Sequence, residues 1–520
     1  MEEYVFIVRR GTPVGEIQPL RRVPISDSYE AWYFDASRLP PISIRNYSYT
    51  AIPNLYALCD TDSLEQTGIY QLQIQEGINL RGLGVLVAFI DTGIDGENPL
   101  FIGEDGRSRI VECWDQNTDV YGDVLAVRDE NGHGTFLASI TAGEALPLSD
   151  ILVVKLRPAP KYLKDYFYVP SSFRGETNVI YAENDIMAGI YYAKQKAIER
   201  NQPLVVCLGI GTNMGSHDGI GPLCFLVNEV SATRHQAITV PVGNEGISNH
   251  HYFGRVESLL QPQRVEFQVE ENQNGLYFEF WCREPERYLI QIQSPTGEVS
   301  TRGTGAANEH LEYTYLFEGT SLTIDYRDVG VLEKNTLVAI RLSNVVRGIW
   351  SILVQPLYTI LETFHIWLPM SEMSQGNVFF LRPNPDTTLT SPGDAKGAIT
   401  IGGYRGDSGA AFFQTGRGFR PDGEVKPDLI APSVDVQGAG LRQNVVEKTG
   451  TSIGAGLAAG ACGQILEWAV VRQNALDISG IDIKSLLIRG ARRSEGKIYP
   501  DKVEGYGKLD AFHAFEMLRK

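Results

Sequence analysis

The period of the hydrophobic pattern changes along the chain. Residues 85–90 (VLVAFI) form an unbroken apolar run, entered through Gly84 and broken by Thr92-Gly93. A run of this length suits a strand buried on both faces of a parallel sheet. Residues 151–155 then read as a strand. Residues 184–200 read as a helix with Ile186, Ile190, Ala193 and Ala197 on one face. Residues 204–208 and 237–242 are further buried-type strands, with a helix at 222–230 between them. This rhythm predicts a mostly parallel α/β sheet with helices on both faces. It resumes with a strand at 396–402 and helices at 452–468, 483–490 and 509–518.

Two stretches depart from it. Between 254 and 390, GLYFEFWCRE, RYLIQIQSP, SLTIDYRD, TLVAIRLSN, GIWSILVQPLY and TFHIWLP are short aromatic or β-branched runs separated by turn residues. They predict an inserted antiparallel β domain of sandwich or jelly-roll type. Residues 1–58 read as a small N-terminal unit with a β-like run at 4–8. The expected division is therefore 1–58, 59–253, 254–390 as the insert, and 391–520.

Composition narrows the class. A formal net charge of −17 repels phosphate backbones, so no nucleic-acid partner is expected. The six cysteines, Cys59, Cys113, Cys207, Cys224, Cys282 and Cys462, are scattered without CxxC or zinc spacing, and read as reduced thiols. The first residues, MEEYVFIVRRGTP, carry early acids and no long apolar run. No signal peptide and no membrane span are expected, which puts synthesis in the cytoplasm.

Three segments carry chemistry. Asp91-Thr92-Gly93 ends a buried strand, where ligands of parallel sheets bind. Asn131-Gly132-His133-Gly134-Thr135 opens an apolar helix-type run, with glycines clearing space around the ring. Gly450-Thr451-Ser452 precedes another, where a serine can use its own N–H and the positive helix end against an oxyanion. Singly these read as a turn, a loop histidine and an N-cap. Together they supply an orienting acid, a general base and a nucleophile. A fourth segment, Val242-Gly243-Asn244-Glu245-Gly246, offers an amide donor to the same oxyanion.

IDTGID, NGHGT, VGNEG and GTS resemble, in this order, the motif blocks of the subtilisin-like (subtilase) family. Ser391–Lys396 (SPGDAK), Lys426–Pro432 (KPDLIAP) and Gly505–Ala511 (GYGKLDA) extend the likeness over roughly residues 80–250 and 391–520. The resemblance implies a serine endopeptidase in which Asp91 orients, His133 is the base, Ser452 the nucleophile and Asn244 the oxyanion donor. Substrate would pair with Leu208 and Gly209 in Cys207-Leu208-Gly209-Ile210-Gly211, which stands where Ser-Leu-Gly is usual. After the serine, Ile453-Gly454-Ala455 replaces the family's small residue, proline and histidine. The layout is most similar to the Csp germination proteases of spore-forming anaerobes. That likeness implies a spore location and, as partner, the zymogen of a cortex-lytic hydrolase. It also implies a prodomain, residues 1–58, which the enzyme itself would cut and whose end would lie in the cleft, the alternative being an N-terminal subdomain that is never cut. No cofactor is required, and calcium is left unassigned.

Other signals compete. Asp407-Ser408-Gly409 pairs with Asp91-Thr92-Gly93 as in aspartic proteases. Gly406-Asp407-Ser408-Gly409 mimics a chymotrypsin-like serine block, and Gly450-Thr451-Ser452-Ile453-Gly454 fits G-x-S-x-G. Each leaves NGHGT unexplained or lacks its partner residues. His250-His251 has no neighbouring cysteine or acid cluster to make a metal site. The reading from another class is a pseudoprotease that binds or signals through the same scaffold.

Overall fold

The computed structural model describes the chain except residues 1–2, 16, 59–64, 171–178, 257, 259–260, 331–334, 359–362 and 519–520. The N-terminal unit is an antiparallel sheet of β1 (Glu3–Arg9), β2 (Arg21–Pro24) and β3 (Tyr29–Asp35), in the order β1-β3-β2. It continues into a short strand, β4 (Leu55–Leu58).

After helix α1 (Ile69–Ile74) the α/β unit begins with β5 (Leu86–Asp91), β6 (Ile110–Asp115) and β7 (Val120–Tyr121). Helix α2 (His133–Ala138), β8 (Asp150–Lys155), helix α3 (Lys161–Tyr166) and β9 (Tyr181–Ala182) follow. Next come helix α4 (Glu183–Arg200), β10 (Leu204–Cys207), β11 (Ile210–Gly211), helix α5 (Pro222–Ala232) and β12 (Gln236–Pro241). The unbroken apolar runs have a simple cause. Leu86, Ala88 and Ile90 of β5 enter one core while Val87 and Phe89 enter the core on the opposite face. With both faces covered, no position is left for a polar residue.

The insert has more strands than its aromatic runs announce. They are β13 (His251–Arg255), β14 (Gln263–Val269), β15 (Gln273–Arg283), β16 (Arg287–Gln293), β17 (His310–Thr314), β18 (Ser321–Val329), β19 (Asn335–Val345), β20 (Gly348–Tyr358), β21 (Thr363–Trp367) and β22 (Val378–Phe380). They form a sheet of order β13-β21-β15-β19-β18-β17 and a second of order β16-β20-β14-β22. Phe278, Phe280, Ile324 and Ile340 of the first sheet and Phe267, Ile290 and Ile352 of the second share the sandwich core. Strands β13, β14 and β17 escape the sequence reading because charged and polar residues break their runs, and β22 because it is only three residues long.

The chain then returns with β23 (Ile399–Tyr404), β24 (Leu429–Pro432) and helices α6 (Thr451–Leu466), α7 (Gly480–Gly490) and α8 (Ala511–Met517). The central sheet has the order β24-β23-β12-β10-β5-β8-β6-β7. All pairings are parallel except β6 with β7. Helix α6 is buried along its whole length against that sheet. Extended to Val471, it is long and apolar enough to cross a membrane, but it is packed inside the protein.

Candidate active site

Asp91 is the last residue of β5, at the carboxyl end of the sheet, and Thr92 N donates to its Oδ1 at 2.7 Å. His133 is the first residue of α2. The turn that delivers it is held by Asp129, a residue the sequence reading missed. Asp129 Oδ1 accepts from Asn131 N (2.8 Å) and Gly132 N (2.9 Å); its Oδ2 accepts from Thr135 N (3.0 Å) and Thr135 Oγ1 (2.7 Å). His133 Nδ1 then lies 2.7 and 2.9 Å from the two oxygens of Asp91, with both residues buried. An imidazole held so by a carboxylate has its Nδ1 hydrogen fixed, which makes Nε2 the nitrogen that acts as the base. Glycines make the approach feasible. A Cβ on Gly134 would sit 2.2 Å from the Gly93 carbonyl oxygen, and one on Gly209 would sit 2.6 Å from the His133 ring.

Ser452 lies in the first turn of α6 and is fully buried; its Oγ has no hydrogen-bond partner. The serine is therefore not closed onto the imidazole. Catalytic hydrogen bonds of this kind commonly tighten only when substrate is bound. Its backbone N–H belongs to the helix start, which favours negative charge. Asn244, in the turn after β12, is tied to the same helix start. Its Oδ1 accepts from Thr451 N (3.0 Å) and Thr451 Oγ1 (3.1 Å), and Thr451 Oγ1 accepts from Gly243 N (3.1 Å). With the carbonyl end anchored, the amide NH2 is the end left to donate to an oxyanion. The atypical Ile453-Gly454 after the serine does not disturb the helix. Ile453 is buried in the core, and a Cβ on Gly454 would sit 2.7 Å from Ile401 Cγ2, so the glycine lets α6 press onto β23.

The cleft beside these groups holds part of the chain itself. Strand β4 lies between β11 and β9, antiparallel to both, with Leu58 opposite Ile210, Ala57 opposite Gly211 and Leu55 opposite Ala182. Among the described residues the pairing is made by Ile210 and Gly211, which directly follow Leu208 and Gly209, the residues expected to bind substrate. Cys59 lies outside the described residues. Tyr181-Ala182, the other wall of the cleft, is two residues long and gave no periodic signal.

The remaining candidates fall elsewhere. Burial, with the Asp91 charge adding to it, pushes the Cys207 thiol up to about 12, so it stays protonated beside the site. The other described cysteines are likewise buried and free. Asp407 is exposed and ion-paired with Arg405, not a member of a buried aspartic dyad. His250 Nδ1 contacts Glu245 Oε2 at 2.5 Å, and His251 stacks on Trp367 and His365. Among the described residues no group of three His, Cys, Asp or Glu could hold a metal ion.

The Subtilase family model matches residues 371–507. The membrane-bound transcription factor site-1 protease of Mus musculus is 30% identical over 137 residues, which is 25% of this chain and 12% of that protein. An intracellular serine protease of Paenibacillus polymyxa is 37% identical over 84 residues, 15% of this chain and 24% of that protein. The chain thus spans about an eighth of the length of the site-1 proteases it matches. Among solved structures, the Clostridium perfringens CspB protease superposes with a TM-score of 0.77 at 26% identity, covering 87% of this chain and 96% of that one. The sheet order, the buried aspartate–histidine pair and these matches define the fold as subtilisin-like and make the chain similar to the serine proteases of that class. Within that class it is related to the Csp proteases.

Proposed function

We propose that the protein is a serine endopeptidase that first cuts its own N-terminal segment and then acts on the inhibitory segment of a zymogen, such as a spore cortex-lytic hydrolase, during germination. The observation that carries the reading is β4, a length of the chain's own backbone lying as an added strand in the cleft next to Asp91, His133 and Ser452. Main-chain pairing of this kind accepts many sequences, as a protease cleft must. In the reaction, Ser452 Oγ attacks the scissile carbonyl carbon as His133 takes its proton. The oxyanion meets the Asn244 amide and the Ser452 N–H. His133 returns the proton to the leaving amine, and water then hydrolyses the acyl-enzyme by the same relay. Asp91 holds the imidazole throughout. The zymogen substrate and a spore location rest on the likeness to the Csp proteases.

A non-catalytic scaffold is the second reading, favoured by the buried Ser452 Oγ without a partner. A serine-directed fluorophosphonate separates the two. The enzyme reading expects labelling of wild type that disappears in Ser452→Ala; wild type that takes no label supports the scaffold.

A further inference from the structure

The insert leaves the catalytic unit directly after the turn that carries Asn244, and one buried ion pair joins the two. Glu245 follows Asn244 immediately, yet it is only 5% exposed. Its Oε2 lies 2.5 Å from His250 Nδ1 and accepts from Asn213 Nδ2 at 2.7 Å, while Oε1 accepts from Ser248 Oγ at 3.2 Å. His250 is the residue before β13, where the insert begins. Its carbonyl oxygen accepts from Leu368 N (2.8 Å), the residue after β21, and Asn213 Nδ2 donates a second bond to Leu368 O (3.2 Å). Asn213 itself lies two residues past β11, the wall of the cleft. Glu245 and His250 thus link the Asn244 turn, the paired strands β13 and β21 at one edge of the insert's larger sheet, and the substrate-pairing segment.

We propose that the Glu245–His250 pair is a positioning pair for Asn244, through which the inserted sandwich sets the oxyanion site. This rests on the endopeptidase reading above. A carboxylate so deeply buried depends on its counter-charge, and loss of one partner leaves the other uncompensated. The turn is otherwise packed too closely to shift without consequence: a Cβ on Gly246 would sit 2.2 Å from the Thr415 carbonyl oxygen. A displaced oxyanion donor costs rate rather than ground-state affinity, since the oxyanion exists only in the transition state.

The pair also predicts a pH dependence. Burial pushes His250 down, but the charge and hydrogen bond of Glu245 and the charge of Glu372 outweigh it, so its pKa is raised. Burial likewise pushes Glu245 up, and His250 with Asn213 and Ser248 outweighs it, so its pKa is lowered. The groups facing His250 are therefore Glu245 and Glu372, while its chain neighbour His251 is held neutral by burial, down to about 3. A raised histidine pKa carries the ion pair to higher pH than an isolated histidine would allow. It is lost as pH rises through the folded value.

The test uses full-length protein, a fluorogenic peptide spanning residues 55–64 of the chain, and rates divided by fluorophosphonate-titrated sites. Glu245→Gln, His250→Gln and the double variant are each expected to lower kcat at least about tenfold with KM within about twofold. Wild type is expected to show an alkaline fall in kcat that the double variant lacks. Per-site kcat unchanged in the variants, even with a lower Tm, would assign the pair to stability alone and overturn the inference. If the variants do not fold, wild type carries the test, and a kcat flat through the alkaline range overturns it. Wild type that takes no label overturns the endopeptidase reading instead.

Discussion

Gly209 shows how much of the site is set by the absence of a side chain. It lies directly under the His133 ring, with Leu137 and Asp91 also within reach of a Cβ placed there. Gly209→Ala is therefore expected to push the imidazole off Asp91 and lower kcat about a hundredfold with the fold retained. Peptide turnover alongside circular dichroism checks this, and near-normal turnover would contradict the geometry. Asp91, His133, Asn244 and Ser452 were legible because each lies in a short glycine-bearing block at an element end. Asp129, Glu245 and His250 were not. Their roles come from what they touch: backbone N–H groups in one case and each other, across the start of an insert, in the other two.

At the scale of elements, β15 carries the main lesson. Its sequence alternates around Glu279, which suggests a solvent face. The structure turns that face inward: Tyr277 and Trp281 enter the core shared with the catalytic unit, while Phe278 and Phe280 enter the sandwich. Glu279, 2% exposed, accepts from Tyr277 Oη (2.5 Å) and Trp281 Nε1 (2.9 Å) of its own strand, from Gly215 N (2.8 Å) of the catalytic unit and from Tyr49 Oη (2.9 Å) of the N-terminal unit. One carboxylate thus gathers donors from all three parts of the chain. In Glu279→Gln one acceptor oxygen becomes a donor facing other donors, at a cost of about 1–3 kcal/mol. After cleavage the N-terminal fragment is then expected to leave the variant and to stay with wild type. Size-exclusion chromatography reads this directly, and equal retention would contradict the clamp.

Across the whole molecule, periodicity revealed the α/β unit and the inserted β unit, and not their interdependence. Val5, Phe6 and Ile44 of the N-terminal unit, Leu337, Ala339 and Trp367 of the insert, and Ile90, Leu163 and Val206 of the catalytic unit belong to one continuous core. Sequence patterns report that a face is apolar without saying which distant segment covers it. Deleting residues 255–390 would strip that core. The deletion is expected to prevent folding, seen as loss of soluble protein and of a cooperative melting transition. A soluble deletion variant that still cuts peptide would make the insert a separable module.

On the proposed function, the strand lying in the cleft is the chain's own first substrate. Intact-mass measurement of purified wild type beside Ser452→Ala tests it most directly. The break is expected near the end of residues 1–58, the N-terminal unit read from the sequence. Wild type should give two masses that sum to the full chain plus one water, and Ser452→Ala a single uncut mass. Wild type that remains whole, or an alanine variant cut at the same bond, would contradict the account.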